Sequence, residues 1–449
     1  MSDTITALAT PRGESAIAVI RISGGETRSI LGEIFDVEDF CPNKMRHGKY
    51  VSTIGVNIDD VMFVFFRGPH SYTGEDAAEI YTHGNMIIIL KILDDLCRRG
   101  CRLADRGEFT RRAFLNKKLD LCQAEAVVDI IHATNEAALR ASHAQLSGEL
   151  SGRIADINND MLEILAILET YIDFIDDEVE GNELSGEFYR KIEKIITDID
   201  TLLATGKYRS ILYNGLDIAI IGRPNAGKSS LLNLLLGMDR ALVSPEAGTT
   251  RDFISEPVML GEYRINLLDT AGLRRHTTST LEEMGITKSI EKIKHADAYL
   301  FVLDTSDGLP TLPADVVNLL NPANCCIIEN KIDQPGNIDY SRFMPDFEHI
   351  RCSLIYTDRS KICDQIINFL NKYYFLPTEV DIVVNSRHVA ILETVRSNIL
   401  SAMKESKHLR IELAAENVRG ALEALGEIVG QYTTDDMLDQ LFSKFCIGK

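Results

Sequence analysis

The 449-residue chain is 45% hydrophobic and 25% charged, the composition of an ordinary globular protein, and its length accommodates about two to four domains. Its formal net charge of −20 weighs against a broad basic nucleic-acid face, which leaves that role to a local basic patch or a basic partner. The longest strongly apolar run, 86–93, is interrupted by Lys91 and falls short of the roughly 20 residues of a membrane span, and the opening Met-Ser-Asp-Thr-Ile-Thr lacks the basic region and apolar core of a signal peptide.

Residues 1–118 read as α+β. Strand-like runs at 4–9, 16–22, 61–66 and 79–82 alternate with helix-like runs at 85–98 and 108–115, and turn clusters such as Thr10-Pro-Arg-Gly13 and Arg67-Gly-Pro69 punctuate them. Residues 119–205 turn helical: Ile154, Ile157, Met161, Ile164 and Leu168 recur at spacings of three and four, as do Phe188, Ile192, Ile195, Ile199 and Leu202. Neither helix is apolar all round, so each needs a packing partner. Residues 215–376 alternate strands and helices, as a doubly wound nucleotide domain does. Helical periodicity then returns with Val389, Leu392, Val395 and Ile399, and with Val418, Leu422, Leu425 and Val429. Asp435 or Thr434 can cap a last helix that carries Met437, Leu441 and Phe445. The expected fold is multidomain α/β plus all-α: an N-terminal domain (1–118), a helical domain in two parts (119–212 and 378–449), and a doubly wound domain (213–377) inserted into it.

The inserted domain carries the chemistry. Gly222-Arg-Pro-Asn-Ala-Gly227-Lys228-Ser229 fits G-x-x-x-x-G-K-[ST] and stands between a strand-like and a helix-like apolar run. In such a loop backbone N–H groups wrap phosphates, the lysine reaches the outer phosphates and the serine hydroxyl suits Mg²⁺. Asp269-Thr-Ala-Gly272 ends a second strand: Asp269 suits the outer Mg²⁺ shell and the Gly272 N–H a γ-phosphate. Thr250 is placed to complete the Mg²⁺ shell. Asn330-Lys331-Ile-Asp333 ends a third strand and reads guanine, since Asp333 can accept from the ring N1–H and the 2-amino group that adenine lacks, while Asn330 bonds the base edge. Cys352-Ser353-Leu354 is the candidate base-side loop. Together these motifs indicate a GTP hydrolase. Leu273 occupies the position after D-x-x-G where many such enzymes carry a water-orienting glutamine, and it cannot hydrogen-bond water. Glu282 and Glu283 are the carboxylates of the polar segment that follows.

With these residues in view the chain resembles the MnmE (TrmE) family of tRNA modification GTPases over essentially its whole length. The resemblance rests on Asp3-Thr-Ile-Thr-Ala7 with Arg21-Ile-Ser-Gly24, on Ser71-Tyr-Thr-Gly-Glu-Asp76 with Gly107-Glu-Phe-Thr-Arg-Arg-Ala-Phe-Leu-Asn116, on the inserted P-loop domain, and on Phe445-Cys446-Ile-Gly-Lys449. It implies a Ras-like G domain and a homodimer. It also implies a heterotetramer with an MnmG (GidA)-like FAD- and NADH-using protein, which would hold most of the tRNA. Together the two would place an aminomethyl or carboxymethylaminomethyl group on carbon 5 of the wobble uridine, position 34. The donor would be a tetrahydrofolate derivative in its 5-formyl or methylene form, bound by Arg21, Glu79, Lys118 and Lys449, types that suit folate carboxylates and the pterin donor pair. The implied nucleotide contacts run through Asn225, Ala226, Gly227, Lys228, Ser229 and Ser230; Ser244, Pro245, Glu246, Ala247, Gly248, Thr249 and Thr250; Asp269, Thr270, Ala271 and Gly272; and Asn330, Lys331, Asp333, Cys352, Ser353 and Leu354. Mg²⁺ would sit on Ser229 and Thr250. A K⁺ ion on Asn225, Ser244, Glu246 and Thr249 would replace an arginine finger, with Glu282, or Glu283, orienting water and Lys228 on the phosphates. Cys446 is a candidate thiolate nucleophile or redox group, or a positioning residue beside folate. Nine cysteines without C-x-x-C or zinc spacing fit a reducing cytoplasm. The competing reading is a regulatory ribosome-assembly or RNA-binding GTPase without modification chemistry.

Overall fold

The computed structural model describes residues 3–37, 39–173, 184–237, 255–269, 296–307, 318–335, 338–374 and 382–449. Of the residues singled out above, Ser244, Pro245, Glu246, Ala247, Gly248, Thr249, Thr250, Thr270, Ala271, Gly272, Leu273, Glu282 and Glu283 lie outside the described residues, as does the side chain of Asp269.

The N-terminal segment runs β1 (Ile5–Leu8), β2 (Ser15–Ser23), α1 (Thr27–Phe35), β3 (Arg46–Val51), β4 (Asn57–Phe66), β5 (Ala77–Gly84), α2 (Met86–Arg98), β6 (Arg102–Leu103) and α3 (Glu108–Leu115). The strands form one sheet in the order β3-β4-β5-β2-β1-β6. Alternation sets its faces: Ala18, Ile20, Ile22, Ala78, Ile80, Val61, Phe63 and Phe65 bury toward α1 and α2. Arg21 and Glu79, being of the other parity and paired across β2 and β5, share the opposite face. Helix α2 starts where the Asn85 side chain accepts from Ile87 N at 2.9 Å, and it buries Ile89, Ile92 and Leu96 at helical spacing.

Four helices follow: α4 (Leu121–His132), α5 (Glu136–Leu146), α6 (Glu149–Asp173) and α7 (Gly186–Asn214). Strand β7 (Leu216–Gly222), α8 (Lys228–Leu236), β8 (Ser255–Leu260), β9 (Tyr263–Asp269), β10 (Ala298–Asp304), β11 (Cys325–Asn330), β12 (Glu348–Arg351) and α9 (Arg359–Tyr373) make the nucleotide fold. The chain finishes with α10 (Ser386–Lys407), α11 (Ile411–Val429) and α12 (Asp435–Phe442). Helix α6 packs on α11 through the expected stripe Ile154, Ile157, Met161, Ile164 and Leu168. In α12 the face is turned by one residue from the expectation. Thr434 is the cap, accepting from Met437 N at 3.3 Å, and Leu438 and Phe442 are the buried pair, with Met437 and Leu441 only partly covered. Phe445 is buried, but it lies beyond the end of the helix.

Two compact units result. One comprises Met1–Val128, Gln145–Ile199 and Ala390–Lys449, the other Asp129–Ala144 and Asp200–Val389. The second is built on a sheet of order β12-β11-β10-β7-β9-β8, in which every pairing but β8–β9 is parallel. Strands β7, β10 and β11 are nearly continuous buried runs, as parallel strands covered on both faces must be. Their carboxyl ends, where doubly wound folds bind ligands, carry Gly222, Asp304 and Asn330.

Candidate functional site

The chain leaves β7 through the loop Arg223 to Gly227 and enters α8 at Lys228. Asn225 and Gly227 both take left-handed backbone, φ 67 and 113, which turns successive N–H groups toward one side of the loop. A Cβ on Gly227 would overlap the Asn330 side-chain nitrogen, so the position has room for glycine alone. Ala226 is buried, while Asn225, Ser229 and Ser230 are exposed on the rim. Lys228 Nζ donates to Gly222 O at 3.0 Å and Arg223 O at 2.8 Å, holding the amine within the loop where phosphates would be met.

Asn330, Lys331 and Asp333 divide the work at the end of β11. Asn330 is buried; its Nδ2 donates to Ala226 O at 2.8 Å, and its Oδ1 accepts from Leu354 N at 3.0 Å. The amide is thus a strut between the phosphate loop and the base-side loop, and it keeps one N–H and one lone pair for a base edge. Lys331, at φ 67, sends its amine to Asp304 Oδ2 at 2.6 Å, which ties the end of β11 to the end of β10. Burial opposes ionisation of Asp304, but hydrogen bonds from Lys331 and Ser306 hold its carboxyl below the ordinary value. Asp333 is exposed, and its carboxylate makes no hydrogen bond among the described residues. Cys352 and Ser353 are buried. Ser353 N donates to Thr357 Oγ1 at 2.9 Å, and Thr357 N to Ser353 O at 2.8 Å, which closes the base-side loop on itself. The free acceptor on Asp333, the cradle that only glycine fits and the lysine inside it suit a guanine nucleotide with its Mg²⁺.

The other unit holds a second constellation. Arg21 donates from Nε and Nη2 to Glu79 Oε1 at 3.0 and 2.8 Å, and from Nη1 to Gly448 O at 3.1 Å. Tyr81 donates to Glu79 Oε2 at 2.7 Å, and burial followed by the neighbouring Glu79 pushes its phenol up to about 12. The rings of Tyr72 and Phe109 each lie 5.8 Å from the Arg21 guanidinium. The closing segment docks here: Phe109 N donates to Lys449 O at 3.2 Å, and Arg106 pairs with Ile447 in an antiparallel bridge. Gly448, at φ 93, allows that approach, because a Cβ would stand 2.5 Å from Leu8 O. Burial, and then the Arg21 charge, push the Lys449 amine below its ordinary value, while Glu79 and Cys446 act the other way. Arg21, Glu79 and Lys449 are therefore together, with an exposed Cys446 beside them. Lys118 is exposed and donates to Pro69 O at 2.9 Å, which ties it to the loop that carries Tyr72. Two cations, Arg21 flanked by the rings of Tyr72 and Phe109 and Lys449 beside it, fit a flat conjugated ligand bearing carboxylates.

Sequence reading missed Tyr72, Tyr81, Phe109 and Asp304 as members of these sites. Tyr72 and Phe109 lie inside the two runs that carried the resemblance; Asp304 is marked only by its place at a strand end.

Residues 121–446 match the family described as the MnmE helical domain, and residues 4–118 match the GTP-binding protein TrmE N-terminus. The chain is 41% identical over 452 residues to a tRNA modification GTPase MnmE of Opitutus terrae, covering 100% of this chain and 99% of that protein. Proteins of the same name from Moorella thermoacetica and Aquifex aeolicus are 38% and 36% identical, each alignment covering 100% of both chains. Among the described residues no helix is long and apolar enough to cross a membrane. The matches span both the nucleotide unit and the Arg21–Lys449 pocket, and the chain belongs to the MnmE (TrmE) family of tRNA modification GTPases.

Proposed function

We propose that the chain is a K⁺-activated GTPase that works with an MnmG (GidA)-like FAD- and NADH-using protein to place an aminomethyl or carboxymethylaminomethyl group on carbon 5 of uridine 34 in certain tRNAs. The observation that carries this reading is the presence in one chain of a guanine-nucleotide cradle and of a two-cation pocket closed by the Cys446 segment. A tetrahydrofolate derivative in the 5-formyl or methylene form supplies the one-carbon unit when bound. Arg21, Lys449 and Lys118 hold its carboxylates, and Glu79 faces its pterin. The protein acts as a cytoplasmic homodimer and as a heterotetramer with the flavoprotein. Its segments are a folate-binding and dimerising domain at 1–118, a G domain at 213–377, and a helical domain at 119–212 and 378–449.

In the nucleotide unit, Lys228 neutralises the outer phosphates, Asp333 selects guanine, and Ser229 with Thr250 holds Mg²⁺. Of the proposed potassium ligands, Asn225 alone falls among the described residues, and its exposed amide oxygen is a hard donor of the right kind. A cation there offsets charge that develops on the transferred phosphate. Glu282 or Glu283 orients water in place of the absent glutamine.

GTP turnover by the purified chain should rise at least ~10-fold in KCl over NaCl at equal ionic strength, the gain expected of one cation at the developing charge. Equal rates would remove the potassium site and reopen the regulatory reading. In a reconstituted pair with the flavoprotein, Cys446→Ser should abolish uridine modification. Because the thiol is exposed, the change costs no core packing. Normal product from that variant would exclude Cys446 from the chemistry.

A further inference from the structure

We infer that Glu329 is a positioning residue for guanine selection: it clamps the edge strand β12 to β11 in the register that aims Asp333 at the base. This rests on the guanine reading of Asp333 given above and adds the residue that holds it in place. Glu329 stands one residue before Asn330 in β11 and is 0% exposed. Carboxylates are almost never buried so fully unless they are paired, and the nucleotide chemistry described above makes no use of this one.

Its partners lie on the neighbouring strand. His349 Nδ1 stands 2.8 Å from Glu329 Oε1, and Arg351 Nε stands 3.1 Å from Oε2. The other imidazole nitrogen, Nε2, donates to Met344 O at 2.8 Å, because a carbonyl oxygen only accepts. The ring is therefore held between a carboxylate and a carbonyl, with a proton between Nδ1 and Oε1. Across the two strands Glu329 pairs with Arg351 and Ile327 with His349, which puts these side chains on one face of the sheet. Asn330 and Ile350 are of the other parity and serve the opposite face. One buried carboxylate thus grips β12 at two points, residues 349 and 351.

Strand β12 needs such a grip. It is four residues long, it lies at the edge of the sheet, and of its residues Ile350 alone is buried. One apolar side chain is a weak register signal. Yet the strand carries the base-side loop. Cys352 N donates to Glu329 O at 2.9 Å, Leu354 N to Asn330 Oδ1 at 3.0 Å, and Ile332 N to Cys352 O at 3.5 Å. Asp333 follows Ile332, so the register of β12 sets where its carboxylate stands. Stability alone does not account for the buried charge, since replacing a buried ion pair by well-packed apolar residues is often neutral or stabilising. Register is what the ion pair adds.

The test is calorimetric titration of the full-length chain with GDP and with inosine diphosphate, which keeps the ring N1–H but lacks the 2-amino group. The wild type should prefer GDP at least ~10-fold, because a site built to bond a group rejects the analogue without it. Glu329→Leu should cut that preference to about threefold or less by weakening GDP, in a chain that circular dichroism shows to be folded. Glu329→Gln keeps an oxygen for His349 and should recover part of the preference. Arg351→Gln removes the second grip at an exposed position, where folding is not at stake, and should lower the preference about threefold. The wild-type preference in folded Glu329→Leu or in Arg351→Gln would overturn the inference. So would an equal loss of affinity for both nucleotides, the result of a merely structural role. Asp333→Ala separates the clamp from the reading on which it rests, for it should lose the preference outright. If it keeps the preference, the guanine reading of Asp333 falls and the clamp with it; if it loses the preference while folded Glu329→Leu keeps it, the clamp alone falls.

Discussion

Replacing Asn330 by alanine is expected to weaken GDP and GTP binding about a hundredfold, measured by titration with a fluorescent guanine nucleotide. Asn330 is 5% exposed and holds two loops at once: its Nδ2 secures Ala226 O in the phosphate loop, and its Oδ1 secures Leu354 N in the base-side loop. Alanine strands both backbone groups, and an unmade buried hydrogen bond costs about 1–3 kcal/mol, so two of them cost about 2–6 kcal/mol, a range that includes the ~2.8 kcal/mol of a hundredfold. Two further substitutions separate this account from simple loss of a base contact. Asn330→Asp keeps an acceptor for Leu354 N–H but turns a carboxylate oxygen toward the Ala226 carbonyl, and it should be at least as damaging as alanine. Gly227→Ala leaves the asparagine intact but drives a methyl group into its amide nitrogen from a backbone at φ 113, so it should produce the same loss from the other side. Affinity within threefold of wild type in Asn330→Ala would show that the loops hold their places without the strut.

The phosphate loop, the ends of β9 and β11 and the helical stripes were legible because each depends on local pattern: a motif between apolar runs, or spacing of three and four. Strand β3 and helix α1 were not, for opposite physical reasons. Strand β3, Arg-His-Gly-Lys-Tyr-Val, is an edge strand with only Tyr50 fully buried, so it has no apolar alternation to read. Helix α1 follows Glu26, whose side chain makes no capping hydrogen bond, and has no acidic residue in its first turn, so no start signal marks it. The strut role of Asn330 depends on contacts with residues 104 and 24 positions away, and the docking of Gly448 on Arg21 spans 427. No local pattern encodes either. The same limit hid Tyr72 and Phe109: aromatic residues in a turn and at a helix start become a binding wall only when β2 brings Arg21 between them.

Arg21→Ala should weaken binding of 5-formyltetrahydrofolate about a hundredfold by calorimetry, and the reason extends beyond one lost cation. Arg21 and Glu79 are each 19% exposed, and the guanidinium bonds both the carboxylate and the closing segment at Gly448 O. Removing it leaves Glu79 charged, half-buried and beside Lys449. Breaking a buried pair by removing one partner costs about 3–5 kcal/mol; for this partly exposed pair about 3 kcal/mol is expected, which is the hundredfold. Arg21→Lys should recover part of the loss, because it restores charge but not the fork that reaches two acceptors. A second readout follows from the Lys449 amine, which burial and then Arg21 hold below its ordinary value. In the wild type the amine loses its proton at a lower pH than a free lysine, so a carboxylated ligand should bind more weakly as pH rises through that lowered value. Arg21→Ala removes one of the two depressing causes and leaves Glu79 to favour the charged form, so the titration of Lys449, followed by NMR of the labelled amine, should move to higher pH. Wild-type folate affinity together with an unmoved Lys449 titration would mean that Arg21 serves only to fasten the closing segment. A moved titration with unchanged affinity would place the ligand's carboxylates on Lys449 and Lys118 instead.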